Sequence, residues 1–254
     1  MSILFLIILF TLGCATSRAS AMAIPESDFP PETGAVQPIL WEAPVLESGI
    51  TIIDGRVRNI QGSLELEWIV DASMKAELQT YDSSGSAELP MHEVRIWPVS
   101  LADGTALLAK EFYPLLNSRQ PVSVKVVGIV QSENLFAPLG LVEIPLGSMS
   151  HHEMARITFG RQYESQGTKV MEGVIAHQGG TRRLLWQKAL NGSFQVVSVE
   201  KGMEIPLIPM LDKKSATAFI FEKRSVELQG IGIDYLWYVG KTVLDDFLEG
   251  FRRL

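Results

Sequence analysis

From residue 50 onwards, apolar and polar side chains alternate along much of the chain. The clearest stretch is 63–71, where Leu64, Leu66, Trp68 and Val70 fall on one side of an extended backbone and Glu65, Glu67 and Asp71 on the other. A period of two marks a strand with one face on a core and one in water. Comparable runs at 92–99, 121–130, 139–146, 155–162, 168–175, 182–190, 193–199, 216–222 and 226–238 are rich in Val, Ile, Phe, Trp and Tyr. Turn-forming residues punctuate them: Asp82-Ser83-Ser84-Gly85, Asp103-Gly104, Gln178-Gly179-Gly180 and Asn191-Gly192. Asn191-Gly192, between two apolar runs, predicts a hairpin because both residues tolerate positive φ. No repeat of fixed period emerges from this pattern.

The period changes at the end of the chain. Val243, Leu244, Phe247, Leu248, Phe251 and Leu254 recur at helical spacing, which predicts an amphipathic helix over 241–254. Thr242, with Asp245 three residues on, predicts a capping box. Such a helix either plugs the open end of a β body or docks on a partner or a bilayer. Phe247, Phe251, Leu254 and the preceding Trp237 and Tyr238 are the candidate docking side chains. The fold expected is all-β, an antiparallel sandwich or barrel with this helix at its end. The least strand-like stretch, 147–153, is one long loop or the division between two β subdomains at 46–147 and 148–240.

The N-terminus carries a different signal. Residues 3–12 form an uncharged apolar run. A membrane-spanning helix needs about 20 such residues, a signal-peptide core only 7–15. The run ends in Leu12-Gly13-Cys14, a small residue directly before the only cysteine. This segment resembles the lipobox of bacterial lipoproteins. The resemblance covers residues 1–17 and implies a signal peptide at 1–13 and lipidation of Cys14. By the same resemblance, Ala15 after the cysteine points to the outer membrane rather than the inner. An ordinary secretory signal cut near Ala19-Ser20-Ala21 is the competing reading. Residues 14–45 then form the lipidated start and a tether, because Pro25, Pro30, Pro31, Pro38 and Pro44 exclude long helices and central strands. Ile39-Leu40-Trp41 is expected to dock onto the body.

Charge and chemistry narrow the function classes. The net charge is −7 with no Lys/Arg block, which disfavours nucleic acid. A single cysteine rules out a disulfide within the chain and a cysteine-rich metal site. The sequence has no nucleophile elbow, P-loop, dinucleotide fingerprint or His-Glu-x-x-His. Its histidines are His92, His151, His152 and His177, and only His151-His152-Glu153 gathers metal-ligand types. Adjacent residues point apart, so one metal takes two of them at most and needs a third ligand, such as His177, from elsewhere. An exposed polar loop explains the same three residues. Arg182-Arg183 grips an anion or merely flanks a hairpin turn, and Asp245, Asp246 and Glu249 read as a solvated helix face. The expectation is a non-enzyme with no cofactor, metal or catalytic residue. It is lipid-anchored in the bacterial envelope and faces the periplasm, as a structural, docking or assembly module with a protein partner. The alternatives are a carrier of an apolar ligand such as a lipid, and a hydrolase or metalloenzyme using the His151/His152 region.

Overall fold

The computed structural model describes residues 36–59, 62–82, 92–101, 103–112, 121–141, 154–177 and 180–254. The expected β architecture is there. The first half runs β1 (Ile39–Trp41), β2 (Val45–Glu47), β3 (Ile50–Asn59), β4 (Gly62–Val70), β5 (Lys75–Asp82), β6 (His92–Ser100), β7 (Thr105–Phe112) and β8 (Ser123–Gln131). The helix α1 (Ser132–Phe136) and a 3-10 turn (Ala137–Leu139) close it. The second half runs β9 (Ile157–Ser165), β10 (Thr168–His177), β11 (Gly180–Lys188), β12 (Phe194–Glu200), β13 (Met203–Asp212), β14 (Thr217–Leu228) and β15 (Ile231–Val243), and ends in α2 (Leu244–Arg252). Each half is an antiparallel meander. A short parallel contact, Gly232 with Lys75 and Ile233 with Ala76, joins β15 to β5, so the single sheet is mixed rather than purely antiparallel.

The two halves are built on one plan, which corrects the expectation that no repeat exists. In each, the segment ahead of the first strand makes one parallel bridge to the last strand: Gln37 with Val130, and Ala155 with Thr242. Each meander therefore curls until its start meets its end. The helix begins two residues past the bridge in both halves. Trp41 pairs with Gly55 on β3, and Phe159 with Gly173 on β10. Turns at Ser48-Gly49 and Gln166-Gly167 have both residues at positive φ (51° and 83°, 49° and 76°). Even the bulges correspond: β8 skips Val127 between Gly128 and Val126, and β15 skips Val239 between Gly240 and Tyr238. In sequence the repeat survives as Gly49, Gly55, Gly62, Leu66 and Trp68, matched at identical spacing by Gly167, Gly173, Gly180, Leu184 and Trp186.

Apolar burial follows the same plan. The concave side of the first meander packs Trp68, Leu66, Leu78 and Leu108 against Leu135 and Phe136 of α1. The second packs Trp186, Leu184, Val196 and Ile220 against Phe247 and Phe251 of α2. In each, a tryptophan indole N–H donates to a carbonyl in the fourth residue of the helix, Trp68 to Leu135 O at 3.0 Å and Trp186 to Phe247 O at 3.1 Å. The outer faces of β6–β8 and β13–β15 then pack on each other, with Trp97, Val99 and Leu107 against Met210, Phe221 and Tyr238. Strand β6 lies on β15 while its counterpart β13 lies on β8, the reciprocal pattern of a two-fold contact.

Several expectations are corrected by this arrangement. The terminal helix spans Leu244–Arg252, not 241–254, because Lys241, Thr242 and Val243 finish β15. The Thr242–Asp245 capping box does not form. Val243 is the N-cap without a side-chain bond, and the Thr242 hydroxyl donates instead to Ala155 O at 2.8 Å. Of the run at 139–146, Leu139 closes the 3-10 turn and 142–146 lie outside the described residues. The run at 226–238 is the end of one strand and the start of the next, split by a turn at Gln229-Gly230.

Candidate functional site

The expected docking side chains are committed to the chain's own core. Phe247 and Phe251 are buried against Trp186 and Phe194, at ring separations of 6.0 and 5.9 Å. Tyr238 is buried beside Phe221 in the contact between the halves, where burial pushes its hydroxyl pKa up to about 12. Leu254 and Trp237 are half-buried against the second core. Phe247, Phe251 and Tyr238 thus offer a partner no surface in this fold. The helix stripe that looked available in sequence packs into the second meander.

Cys14, His151 and His152 lie outside the described residues, while His92 opens β6 and His177 closes β10. Among the described residues, no group of three or more His, Cys, Asp or Glu side chains is arranged to hold a metal ion.

Charged side chains of the sheet are drawn into two paired clusters. The first lies at the seam between the halves. Glu111 on β7 is buried and accepts from the Trp97 indole at 2.6 Å and from Lys223 Nζ at 2.9 Å. Arg95 and Lys223 sit over the Trp97 ring at 4.0 and 4.6 Å, a cation–π contact from each half. Beside it, Asp234 of β15 accepts from Arg95 at 2.5 Å and from Ser225 at 2.5 Å, and pairs with Lys75 at 3.1 Å. Burial pushes the Asp234 carboxyl up, but these partners outweigh it and hold the group below its ordinary value. Lys75 is raised, first by its bond to Asp234 and then by Glu77.

The second cluster lies on the concave face of the second meander. Glu222 is completely buried, held by Arg224 through two nitrogens at 2.9 and 2.5 Å and by the Ser198 hydroxyl at 2.8 Å. Arg182 and Arg224 both reach Glu200, at 3.3 and 3.4 Å, and the Glu200 pKa is lowered first by its bond to Arg182. On the opposite face, Arg183 pairs with Glu172 at 2.5 Å. Arg182 and Arg183 therefore point to opposite sides and are spent on carboxylates, which leaves little for an anion grip. Glu67 also departs from expectation: it is buried, while Glu65 stays exposed. Within each cluster the opposite charges neutralise one another.

Among the described residues, exposed apolar side chains gather on a short hairpin at the start of the body, while Leu190 and Met203 are exposed elsewhere. Leu40 and Leu46 are 71% and 73% exposed, with Val36, Val45 and Ile50 beside them in sequence and also exposed. The segment itself is fixed: the Trp41 indole donates to Asn134 O at 2.8 Å and the Ile39 N–H to Asn134 Oδ1 at 2.5 Å. Ile39-Leu40-Trp41 does dock onto the body, as expected, as strand β1. Nearby, a shallow groove of about 490 Å3 is lined by Arg56, Arg58, Gly62, Ser63 and Glu65. The exposed Arg56–Glu65 pair crosses it at 2.7 Å. Compared with known protein families, with curated proteins and with solved structures, the chain matches none.

Proposed function

We propose that the protein is a lipid-anchored component of the bacterial envelope that works through its surface, as a structural or docking module of a larger assembly. The observation that carries this reading is how the two interiors are used. Each is packed by the chain's own tryptophan and helix, with Phe136 in the first and Phe247 and Phe251 in the second, and the buried carboxylates Glu111 and Glu222 are tied to cations of the same chain. A body whose interior is occupied in this way acts with its outside. The lipobox-like Leu12-Gly13-Cys14 and the apolar run before it supply the anchor in this reading.

The test has two parts. Intact-mass measurement of the mature chain reads the N-terminus, with acylated Cys14 as the expected first residue. Affinity purification of the tagged protein from membranes in mild detergent is expected to bring down a partner in fixed proportion. A free thiol at Cys14, or a lone monomer under every gentle extraction, overturns the proposal. A co-purified lipid inside the body would favour the carrier instead.

A further inference from the structure

We propose that the hairpin formed by β2 and the start of β3, with Leu40 beside it, seats on the surface of the bilayer that holds the N-terminal anchor. This deepens the anchored-module reading and rests on it. The repeat provides an internal control. The same place in the second half is the β9–β10 hairpin, with the same turn geometry at Gln166-Gly167. There, Thr158 stands where the first half has Leu40, Tyr163 where it has Val45, Glu164 where it has Leu46 and Thr168 where it has Ile50. The fold therefore accepts a polar hairpin at this position, and folding alone does not call for the apolar one. Tyr163 of the second half packs on Val170 and Leu185, whereas its counterpart Val45 is left exposed, and Leu46 stands exposed where the second half has Glu164.

The hairpin's apolar residues also lie on both of its faces. Val45 pairs with Ile52 and Glu47 with Ile50, so Val45 and Ile50 share one side while Leu46, opposite Thr51, takes the other. An element apolar on both sides suits insertion into an interface better than packing onto a flat partner. The occupant follows from where the chain leads. Val36, the first described residue, is exposed and stands just ahead of β1, and the segment before it runs back to Cys14. Even fully extended, residues 15–35 span at most about 75 Å. An acyl group on Cys14 thus keeps this hairpin close to the lipid at high effective concentration, so that weak apolar contacts suffice. Glu42 and Glu47 are exposed beside it, so the surface it fits is zwitterionic rather than anionic.

The experiment uses the full chain purified from membranes and reconstituted into phosphatidylcholine–phosphatidylethanolamine vesicles, with and without doxyl-labelled lipid. Maleimide reactivity of Cys14 in the unchanged chain reads the anchor separately. A Cys14 that is present by intact mass yet unreactive supports acylation, and one that reacts, or is missing from the mature chain, overturns the anchor. An environment-sensitive fluorophore is placed at Leu46→Cys and, as the control, at Leu190→Cys, a residue 86% exposed on the β11–β12 hairpin. Were Cys14 reactive, both variants would carry Cys14→Ser. The expected result is several-fold stronger doxyl quenching at position 46 than at 190. Equal quenching overturns the proposal whatever Cys14 shows. Shielding of position 46 from water without lipid quenching overturns it in favour of a protein occupant.

Discussion

At the residue scale, the tightest constraints are glycines beside tryptophans. A Cβ on Gly55 would overlap the Trp41 ring, and one on Gly250 of α2 would overlap the Trp186 indole. At Gly173 the added atom would stand 2.7 Å from Trp186. Overpacking of this kind costs about 1–3 kcal/mol. Gly250→Ala is expected to lower the unfolding free energy by that amount, read as a lower midpoint in chemical unfolding, and to shift tryptophan emission, because the clash falls on the ring that anchors the helix. A Gly250→Ala protein with unchanged midpoint and emission would contradict the packing described. Hairpin loops are fixed by short acids and amides: Asp71 accepts from Ser73 and Lys75, Asp103 from Thr105, and Asn191 from Ser193. Asn191-Gly192 was legible as a turn, but for a different reason from the one the dipeptide suggests. Only Gly192 has positive φ, and Asn191 acts through its side chain. Acid sensitivity belongs to this scale too. Asp234 is held below its ordinary pKa, so its contribution is complete above about pH 4, the unfolded value, and is lost as pH falls through the lower folded one. Lys75 is raised, so its part is complete below about pH 10.4 and is lost as pH rises through its folded value. Asp234→Asn should therefore flatten the acid limb of a stability–pH curve measured by urea unfolding. An acid limb unchanged from wild type would remove Asp234 from the explanation.

At the element scale, strands with one wet face were easy to read and strands without one were not. The β4 run of Leu64, Leu66, Trp68 and Val70 alternates cleanly, yet Glu67 on the opposite face is buried too, because cover on that face leaves no trace in local periodicity. Strand β7 reads Thr-Ala-Leu-Leu-Ala and is buried on both faces, one in its own core and one in the seam, so it has no alternation to offer. Strand β13 contains Pro206 and Pro209, which argue against a central strand. Pairing of β13 to β12 ends at Leu207, so Pro209 falls where the strand keeps one neighbour, and Pro98 on β6 does the same past Ile96. The turns Ser48-Gly49, Gln166-Gly167, Lys201-Gly202 and Gln229-Gly230 have two positive φ values each but lack the Asn or Asp that announces such a turn. The repeat itself stayed hidden because it lives in three glycines, one isoleucine (Ile39 and Ile157), one leucine and one tryptophan, while surface positions differ freely. The helices depend on those tryptophans. Trp186→Phe removes the bond to Phe247 O and part of the ring contact with Phe247. It is expected to cost about 1–3 kcal/mol and to expose α2 amides to hydrogen exchange before the rest of the sheet. Uniform protection in the variant would show that α2 does not depend on that bond.

At the scale of the whole molecule, the two halves meet as the subunits of a two-fold dimer meet, but within one chain. In such a contact, residues near the axis face their own counterparts. Glu111 and Lys223 are counterparts in the repeat: Glu111 pairs with Val124 on β8, Lys223 with Leu236 on β15, at the same step past the bulge. They are also partners, 2.9 Å apart. Opposite charges at equivalent positions make the halves complementary to each other and not to themselves. A first half paired with a copy of itself would oppose Glu111 to Glu111, and a second half would oppose Lys223 to Lys223, both on surfaces that the seam desolvates. Removing one member of a buried pair costs about 3 kcal/mol or more, because it strands the other. Lys223→Met, which takes the cation from the buried Glu111 carboxylate, should therefore destabilise the chain by about that much, and Glu111→Ala/Lys223→Met by clearly less. The sharper consequence concerns the halves as separate chains. Co-expressed segments 36–141 and 154–254 are expected to associate one to one, with Trp97, Val99 and Leu107 again covered by Met210, Phe221 and Tyr238. Charge reversal by Glu111→Lys alone should abolish the association, and adding Lys223→Glu should restore it. Sedimentation velocity reads the associations, and urea unfolding the stability changes. Association that ignores the reversal would mean that the apolar seam alone selects the partner, and that the charge pair sets neither register nor specificity.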